Sequence, residues 1–140
     1  MTDRTSQSYT LPDCIYLAEA ADVDPTTADP AHVARAMCLL LAGTVRDLLT
    51  ETDHDAPFDA TGLELCLLHA TGEVKATGFY WTAGGEYREF PGVEDTYHLN
   101  GWTCDLNDHN GEAWKPLCDL IGGDVNATRY RLDLTRAAAL

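Results

Sequence analysis

Residues 63–82, with the sequence LELCLLHATGEVKATGFYWT, decide the fold because two strand-like runs flank a turn. In the first run, Leu63, Leu65 and Leu67 recur at every second position, which is the period of a strand with one apolar face. Thr71-Gly72 is a turn signal, and residues 74–82 form a second run rich in aromatic residues. The stretch therefore predicts an antiparallel hairpin of two strands, 63–69 and 74–82.

Further turn signals extend this hairpin toward the C-terminus. Gly84-Gly85 precedes a predicted strand over 86–90, and Pro91-Gly92 precedes another over 96–104. A last strand is predicted over 128–135, where apolar and polar residues alternate. The sequence thus predicts an antiparallel β-meander of about five strands.

Helices are predicted on both sides of the meander. The longest covers residues 31–50, where apolar residues recur at spacings of three and four after Asp29 and Pro30, a cap and a first-turn proline. A second helix is predicted over 111–121, before the last strand. Strands and helices that are segregated in this way indicate the α+β class, with the sheet packed against the long N-terminal helix.

The length of 140 residues fits one domain. Residues 1–9 are small and polar and are expected to form a flexible tail, and 10–29 to hold a short helix and a connector. Because most of the middle of the 31–50 helix is apolar, other elements must cover it, or a homodimer forms through residues 31–50.

Charge limits the partners that this chain can have. Nine Lys and Arg face 23 Asp and Glu, which gives a net charge of −14. We therefore expect no direct nucleic-acid partner and no membrane partner, because both surfaces are anionic. A basic protein partner fits this charge. Adaptation to salt fits it equally, since the chain has 15 Asp but only two Lys.

Cysteine usage and the N-terminus indicate the compartment. Five cysteines are widely spaced without a CxxC pair, and the N-terminal residues MTDRTSQSYT lack an apolar signal core. The longest apolar stretch, 36–42, is far too short to span a membrane. We therefore expect a cytoplasmic protein with reduced thiols.

No catalytic or metal-binding motif stands out. The acidic loops 53–59 and 105–112 could bind a cation, but a solvated loop and a helix entry explain them as well, so that question stays open. The cysteines lack the cationic neighbours that activate a thiol, and core packing is expected for them. We predict no catalytic residues, no metal and no cofactor.

The most informative feature is a concentration of aromatic rings among carboxylates between residues 79 and 102. Exposed Tyr and Trp anchor many protein interfaces, and neighbouring carboxylates favour an Arg- or Lys-rich partner. Rings on consecutive strand positions must point to both faces of the sheet, so one face can rest on the long helix and the other must be covered by the second helix, left partly exposed or used for binding. Packing in the core and at the sheet edge is the structural alternative, and docking on an open face is the functional hypothesis. The predicted partner-binding residues are Tyr80, Trp81, Glu86, Tyr87, Glu89, Glu94, Asp95, Tyr97 and Trp102.

Three classes of function follow from these observations. The leading interpretation is a non-catalytic acidic binding protein that occupies a basic protein partner, of the immunity, antitoxin or anti-defence inhibitor type. The first alternative is a small enzyme or ligand-binding module with a pocket near His69 or His98. The second is a salt-adapted homodimeric domain whose function is not encoded in a recognisable motif.

Overall fold

Five strands and five helices make up the fold in the computed structural model, which describes residues 7–12, 14–51 and 56–139. In chain order, the helices are α1 (Cys14–Ala21), α2 (Pro30–Thr50), α3 (Val93–Thr103), α4 (Gly111–Trp114) and α5 (Leu134–Ala138). The strands are β1 (Ala60–Leu68), β2 (Val74–Thr82), β3 (Tyr87–Glu89), β4 (Cys118–Gly123) and β5 (Ala127–Asp133).

The strands form one antiparallel sheet with the order β3-β2-β1-β5-β4. The predicted α+β class is confirmed, as are a five-stranded antiparallel sheet, the long helix α2 and a helix before the last strand. The hairpin of β1 and β2 is the one that Leu63–Leu67 alternation and Thr71-Gly72 predict.

Two local assignments were wrong. Residues 96–104, predicted as a strand, belong to helix α3, where Thr96, Leu99 and Thr103 are spaced to face inward. Residues 111–121 were predicted as one helix. In the structure, helix α4 ends at Trp114, a 3₁₀ turn follows, and β4 begins at Cys118. Pro116 explains this second break, because proline lacks an N–H and clashes with the preceding helical turn.

Helix α2 is the centre of the core. It begins with Asp29, whose carboxylate accepts from the Ala31 N–H at 2.9 Å, and ends where Glu51 adopts a left-handed φ of 54°. Helices α1, α3, α4 and α5 all pack against it. The apolar surface that suggested a homodimer through residues 31–50 is therefore covered within the chain.

The helices cover only one face of the sheet. In β2, Val74, Ala76 and Tyr80 are buried, whereas Lys75 and Thr77, which point the other way, are exposed. We call this second face, bearing Thr77, Phe79, Trp81, Tyr87, Glu89, Glu64, Arg129 and Arg131, the open face. Helix α3 lies close to β2, and α5 lies close to β1 and β5.

Residues 7–9, which were predicted as part of a flexible tail, are packed against the body of the protein. Tyr9 is buried, and its hydroxyl donates to the Ala42 carbonyl at 2.7 Å. Gln7 forms an isolated parallel β-bridge with Phe58. Residues 1–6 lie outside the described residues. No helix in the described part of the chain has the length and hydropathy to cross a membrane.

Candidate partner-binding surface

The nine predicted partner-binding residues lie in three places. Trp81, Tyr87 and Glu89 lie on the open face, with Glu86 in the turn before β3. Tyr80 points to the opposite side of β2, is buried, and packs against Phe90 with ring centroids 4.7 Å apart. The remaining four lie on helix α3: Glu94, Asp95, Tyr97 and Trp102.

The rings on the open face form one cluster. Phe79 and Tyr87 stack in parallel with centroids 4.8 Å apart, and Trp81 contacts Tyr87 at 5.0 Å. The Arg131 guanidinium lies 5.9 Å from the Trp81 ring, at the outer limit of a cation–π contact. The rings therefore cover one another, and Tyr87 is the most exposed of them, at 45%.

A buried carboxylate organises the polar half of the open face. The side chain of Glu64 is only 3% exposed and accepts from the Thr77 hydroxyl at 2.5 Å and the Tyr87 hydroxyl at 2.6 Å. Its second oxygen accepts from Arg129, with Nε at 3.0 Å. Burial raises the pKa of Glu64, but these hydrogen bonds outweigh it and hold the pKa below its ordinary value. Burial and the bond to Glu64 raise the pKa of Tyr87 to about 12.

Three carboxylates on and around the open face are paired with arginines, whereas Glu89 is exposed to solvent. Besides Glu64 with Arg129, Asp119 lies 3.3 Å from Arg131. Glu86, which was predicted to contact a partner, lies 2.6 Å from Arg88. The open face therefore presents aromatic rings among balanced charges, rather than the anionic fringe that the sequence suggested.

Helix α3 is held in place by polar contacts at both ends. The Gly92 N–H donates to the Asp95 carboxylate at 3.2 Å, so Asp95 caps the helix. Near the C-terminal end, the Asn100 side-chain oxygen accepts from the Ala76 N–H in β2 at 2.8 Å. These contacts fix which side of α3 faces outward.

The outward side of α3 borders a groove against α2. Tyr97 is 78% exposed, and the Trp102 indole donates to the Thr44 hydroxyl at 2.9 Å. The groove has a volume of about 500 Å³ and is mostly apolar. We call it the α2–α3 groove. It is lined by Thr44, Asp47, Leu48, Tyr97, His98, Gly101 and Trp102.

The segment of sequence that contains α3 is rich in carboxylates. Residues 89–114, which include all of α3, hold six carboxylates and no Lys or Arg. Glu94 is exposed one helical turn before Tyr97. Asp47 accepts from Arg46 at 3.0 Å and is therefore partly neutralised, but among the described residues no arginine or lysine lines the groove. The α2–α3 groove is thus bordered by one exposed aromatic ring, Tyr97, with the exposed carboxylate Glu94 one helical turn away.

A second cavity contains the histidine and carboxylate that an enzyme would need. It has a volume of about 280 Å³ and is lined by His69, Asp108, Lys115 and Tyr130, among others. Asp108 is already bound to Lys115 at 2.9 Å. Both His69 ring nitrogens have partners, the Val125 carbonyl at 3.1 Å and the Thr128 hydroxyl at 2.6 Å.

The described thiols are poorly suited to nucleophilic chemistry. Burial raises the pKa of Cys38 and raises that of Cys118 to about 12. Burial raises the pKa of Cys66 and Cys104 as well. Within residues 7–12, 14–51 and 56–139, no three His, Cys, Asp or Glu side chains are grouped so as to hold a metal ion. Residues 53–55 of the acidic loop lie outside the described residues.

The sequence analysis did not identify the groove residues that α2 contributes, and it predicted a strand where the groove residues of α3 are helical. Thr44, Asp47 and Leu48 carry no motif of their own, and they become relevant only because α3 lies beside them. A signal for α3 was present in Gly92 and Asp95, a helix-capping pair with acidic residues in the first turn. Comparison with protein families, curated proteins and solved structures finds no match to this chain.

Proposed function

We propose that this chain is a non-catalytic, cytoplasmic binding protein that occupies a basic partner protein through the α2–α3 groove. An inhibitor of the immunity, antitoxin or anti-defence type fits this description. The observation that carries the proposal is the side chain of Tyr97, which is 78% exposed beside a mostly apolar groove. Large exposed aromatic side chains next to a pocket are typical anchors of protein interfaces.

Charge supports a basic partner. The segment 89–114 carries six carboxylates without a Lys or Arg, and the whole chain carries a net charge of −14. Such a field steers a cationic protein toward the surface and raises the rate of association. The apolar groove would then slow dissociation, because tight complexes of this kind are tuned mainly by their off-rates.

A mechanism based on occupancy requires no chemistry from this chain. The partner's basic surface would lie against α3, with Tyr97 and Trp102 contacting it and Glu94 adding charge. Bound in this way, a nuclease or another basic protein could not approach its own anionic substrate. The described thiols with raised pKa values agree with such a passive role.

Affinity capture tests the proposal. The immobilised chain, incubated with extract of its source cell at 50 mM NaCl, should retain a basic protein that elutes as the salt concentration rises. With that protein purified, Tyr97→Ser should weaken binding at least tenfold in calorimetry, since truncated aromatic anchors cost roughly 2 kcal/mol or more. Glu94→Gln should slow association and reduce its dependence on salt.

Two matched variants control for nonspecific effects. Tyr16→Ser removes a tyrosine that is 46% exposed on α1, and Glu89→Gln removes the same charge from β3. Neither should change the affinity by more than about twofold. Recovery of no basic protein, or equal losses in Tyr97→Ser and Tyr16→Ser, would refute the proposal.

The cavity at His69 supports a second candidate, the binding of a small ligand. It brings together a histidine, a carboxylate and a lysine, the group types that orient many ligands. Asp108→Asn separates the two candidates, because it removes charge from this cavity and leaves the α2–α3 groove intact. If partner capture survives Tyr97→Ser and fails in Asp108→Asn, the cavity rather than the groove is the functional site.

A further inference from the structure

The two edges of the sheet differ in how they are protected. An edge strand presents unpaired backbone N–H and C=O groups that can pair with another strand, and monomeric proteins block such edges with charges, proline or short strands. β3 is blocked: it is three residues long, carries Arg88 and Glu89, and is followed by Pro91.

β4 is less protected: it is twice as long and contains no proline, and its register irregularity is confined to the step between Leu120 and Gly122. It runs for six residues, CDLIGG, and five of them are exposed. Leu120 is 70% exposed and Ile121 is 38% exposed. The only charge in the strand, Asp119, lies 3.3 Å from Arg131 of β5. In the described part of the chain, β4 pairs with β5 alone, so its other edge is open to a strand.

The distribution of charge favours β4 of a second copy of this chain as the strand that pairs with this edge. Residues 113–140, which include β4 and β5, hold four basic and three acidic residues, whereas residues 1–112 hold five basic and twenty acidic ones. Two copies therefore repel each other wherever residues 1–112 meet. They can approach at the β4–β5 hairpin, where the charge is balanced.

We propose that two copies pair through their β4 edges, antiparallel across a two-fold axis, to form one continuous ten-stranded sheet. With the axis near Leu120 and Ile121, the exposed apolar side chains of both copies lie together. Each Asp119 then lies opposite an uncharged residue of the other copy, because the residues at positions 120–123 are Leu, Ile, Gly and Gly. This pairing leaves the α2–α3 groove of each copy unused, so it is independent of the proposed function.

Sedimentation equilibrium from 1 to 500 µM in 150 mM NaCl tests the pairing. Wild type should form a dimer, and Leu120→Lys should raise its dissociation constant at least tenfold, since it places a cation from each copy at the axis. Ile15→Lys is the matched control, with the same change of charge at a residue 68% exposed on α1. It should leave the dissociation constant within about twofold of wild type. Circular dichroism verifies that both variants fold.

Salt and hydrogen exchange give two further readouts. Because both copies carry net negative charge, screening should tighten the dimer between 50 and 500 mM NaCl, the reverse of what a basic partner shows. The amides of β4 should become more protected as the protein concentration rises. A chain that is monomeric throughout, a dimer unaffected by Leu120→Lys, or β4 protection independent of concentration would each overturn the proposal.

Discussion

At the scale of single residues, Glu64 shows how a charge can be tolerated under an otherwise open surface. Its carboxylate receives hydrogen bonds from Thr77, Tyr87 and Arg129, and no described buried polar side-chain atom is left without a partner. Fully satisfied networks of this kind fix the side chains that form them. The position of Tyr87, and with it the stack of rings on the open face, therefore depends on Glu64.

Glu64→Gln should destabilise the protein by roughly 2 kcal/mol, measured by urea denaturation. Glutamine keeps one oxygen for Thr77 and Tyr87, but its NH₂ group meets the Arg129 guanidinium and cannot accept from it. The cost stays below that of a fully buried pair because Arg129 is 45% exposed. Glu89→Gln, an exposed change on the same face, should change the stability by less than about 0.5 kcal/mol in either direction.

The stability that Glu64→Gln loses should depend on pH in a defined direction. Since the folded pKa of Glu64 is below its ordinary value, its charge stabilises the fold above the unfolded pKa of about 4.3. That contribution disappears as the pH falls through the folded pKa. The difference between wild type and Glu64→Gln should therefore shrink between pH 6 and pH 3, and a constant difference would contradict the role assigned to the charge.

At the scale of elements, the sequence predicted what local pattern controls and failed where tertiary contacts decide. The cap at Asp29 predicted α2 almost to the residue, and the alternation of Leu63, Leu65 and Leu67 predicted β1, although β1 begins three residues earlier, at Ala60. The 96–104 stretch contains aromatic and β-branched residues that favour strands. In the structure it is helical, and the Asn100 side chain accepts from the Ala76 N–H of β2, a tertiary contact that the sequence pattern does not show.

The candidate site was predictable in the same partial way. Tyr97 and Glu94 were identified from the clustering of rings and carboxylates, and the structure places both on the exposed side of α3. Tyr80 and Trp81 could not both face a partner, because neighbours in a strand point to opposite faces. Leu48, on a helix more than forty residues away in sequence, could be assigned to the groove only from the packing of α2 against α3.

Two glycines within elements should respond oppositely to alanine. At Gly43 in α2, an added Cβ would meet Leu17 of α1 at 3.9 Å, an ordinary contact, so Gly43→Ala should stabilise the protein by about 0.5 to 1 kcal/mol. Gly78 in β2 has a φ of +94°, and a Cβ there would lie 2.9 Å from the Thr96 hydroxyl of α3. Gly78→Ala should destabilise by at least 1 kcal/mol.

Thermal denaturation of both variants measures these effects. Gly101→Ala in α3, where nothing lies within 4 Å of an added Cβ, serves as the reference for helix propensity alone. If Gly43→Ala stabilises less than Gly101→Ala by more than about 1 kcal/mol, α1 packs more tightly on α2 than the structure shows.

At the scale of the whole molecule, the charge is distributed unevenly along the chain. Residues 1–112 carry the entire negative excess, whereas the C-terminal β4–β5 hairpin is nearly neutral. Uniform acidity would serve solubility in salt, and it would leave no region free of repulsion. In the two proposals above, the nearly neutral hairpin is the surface for self-association and the acidic region around α3 is the surface for a cationic partner.

The salt dependence of folding distinguishes negative charge that serves a cationic partner from negative charge that adapts the protein to salt. Self-repulsion among the carboxylates of residues 1–112 is screened as ions are added, and the Debye length is already about 3 Å at 1 M. The unfolding free energy should therefore rise by roughly 1 to 2 kcal/mol between 20 mM and 500 mM NaCl and change little above that range.

Urea denaturation at 20 mM, 150 mM, 500 mM and 2 M NaCl measures this curve, with Glu89→Gln and Glu94→Gln as variants that each remove one carboxylate. Glu89→Gln should be more stable than wild type at 20 mM NaCl and indistinguishable from it at 500 mM, because the repulsion that it relieves is screened there. Glu94→Gln should gain less at 20 mM, since Glu94 lies in the first turn of α3 and its charge interacts favourably with the helix N-terminus. The protein should be folded at 20 mM, since a core built on α2 and the sheet does not depend on ions. A chain that folds only in molar salt would show that its acidity serves the solvent rather than a partner.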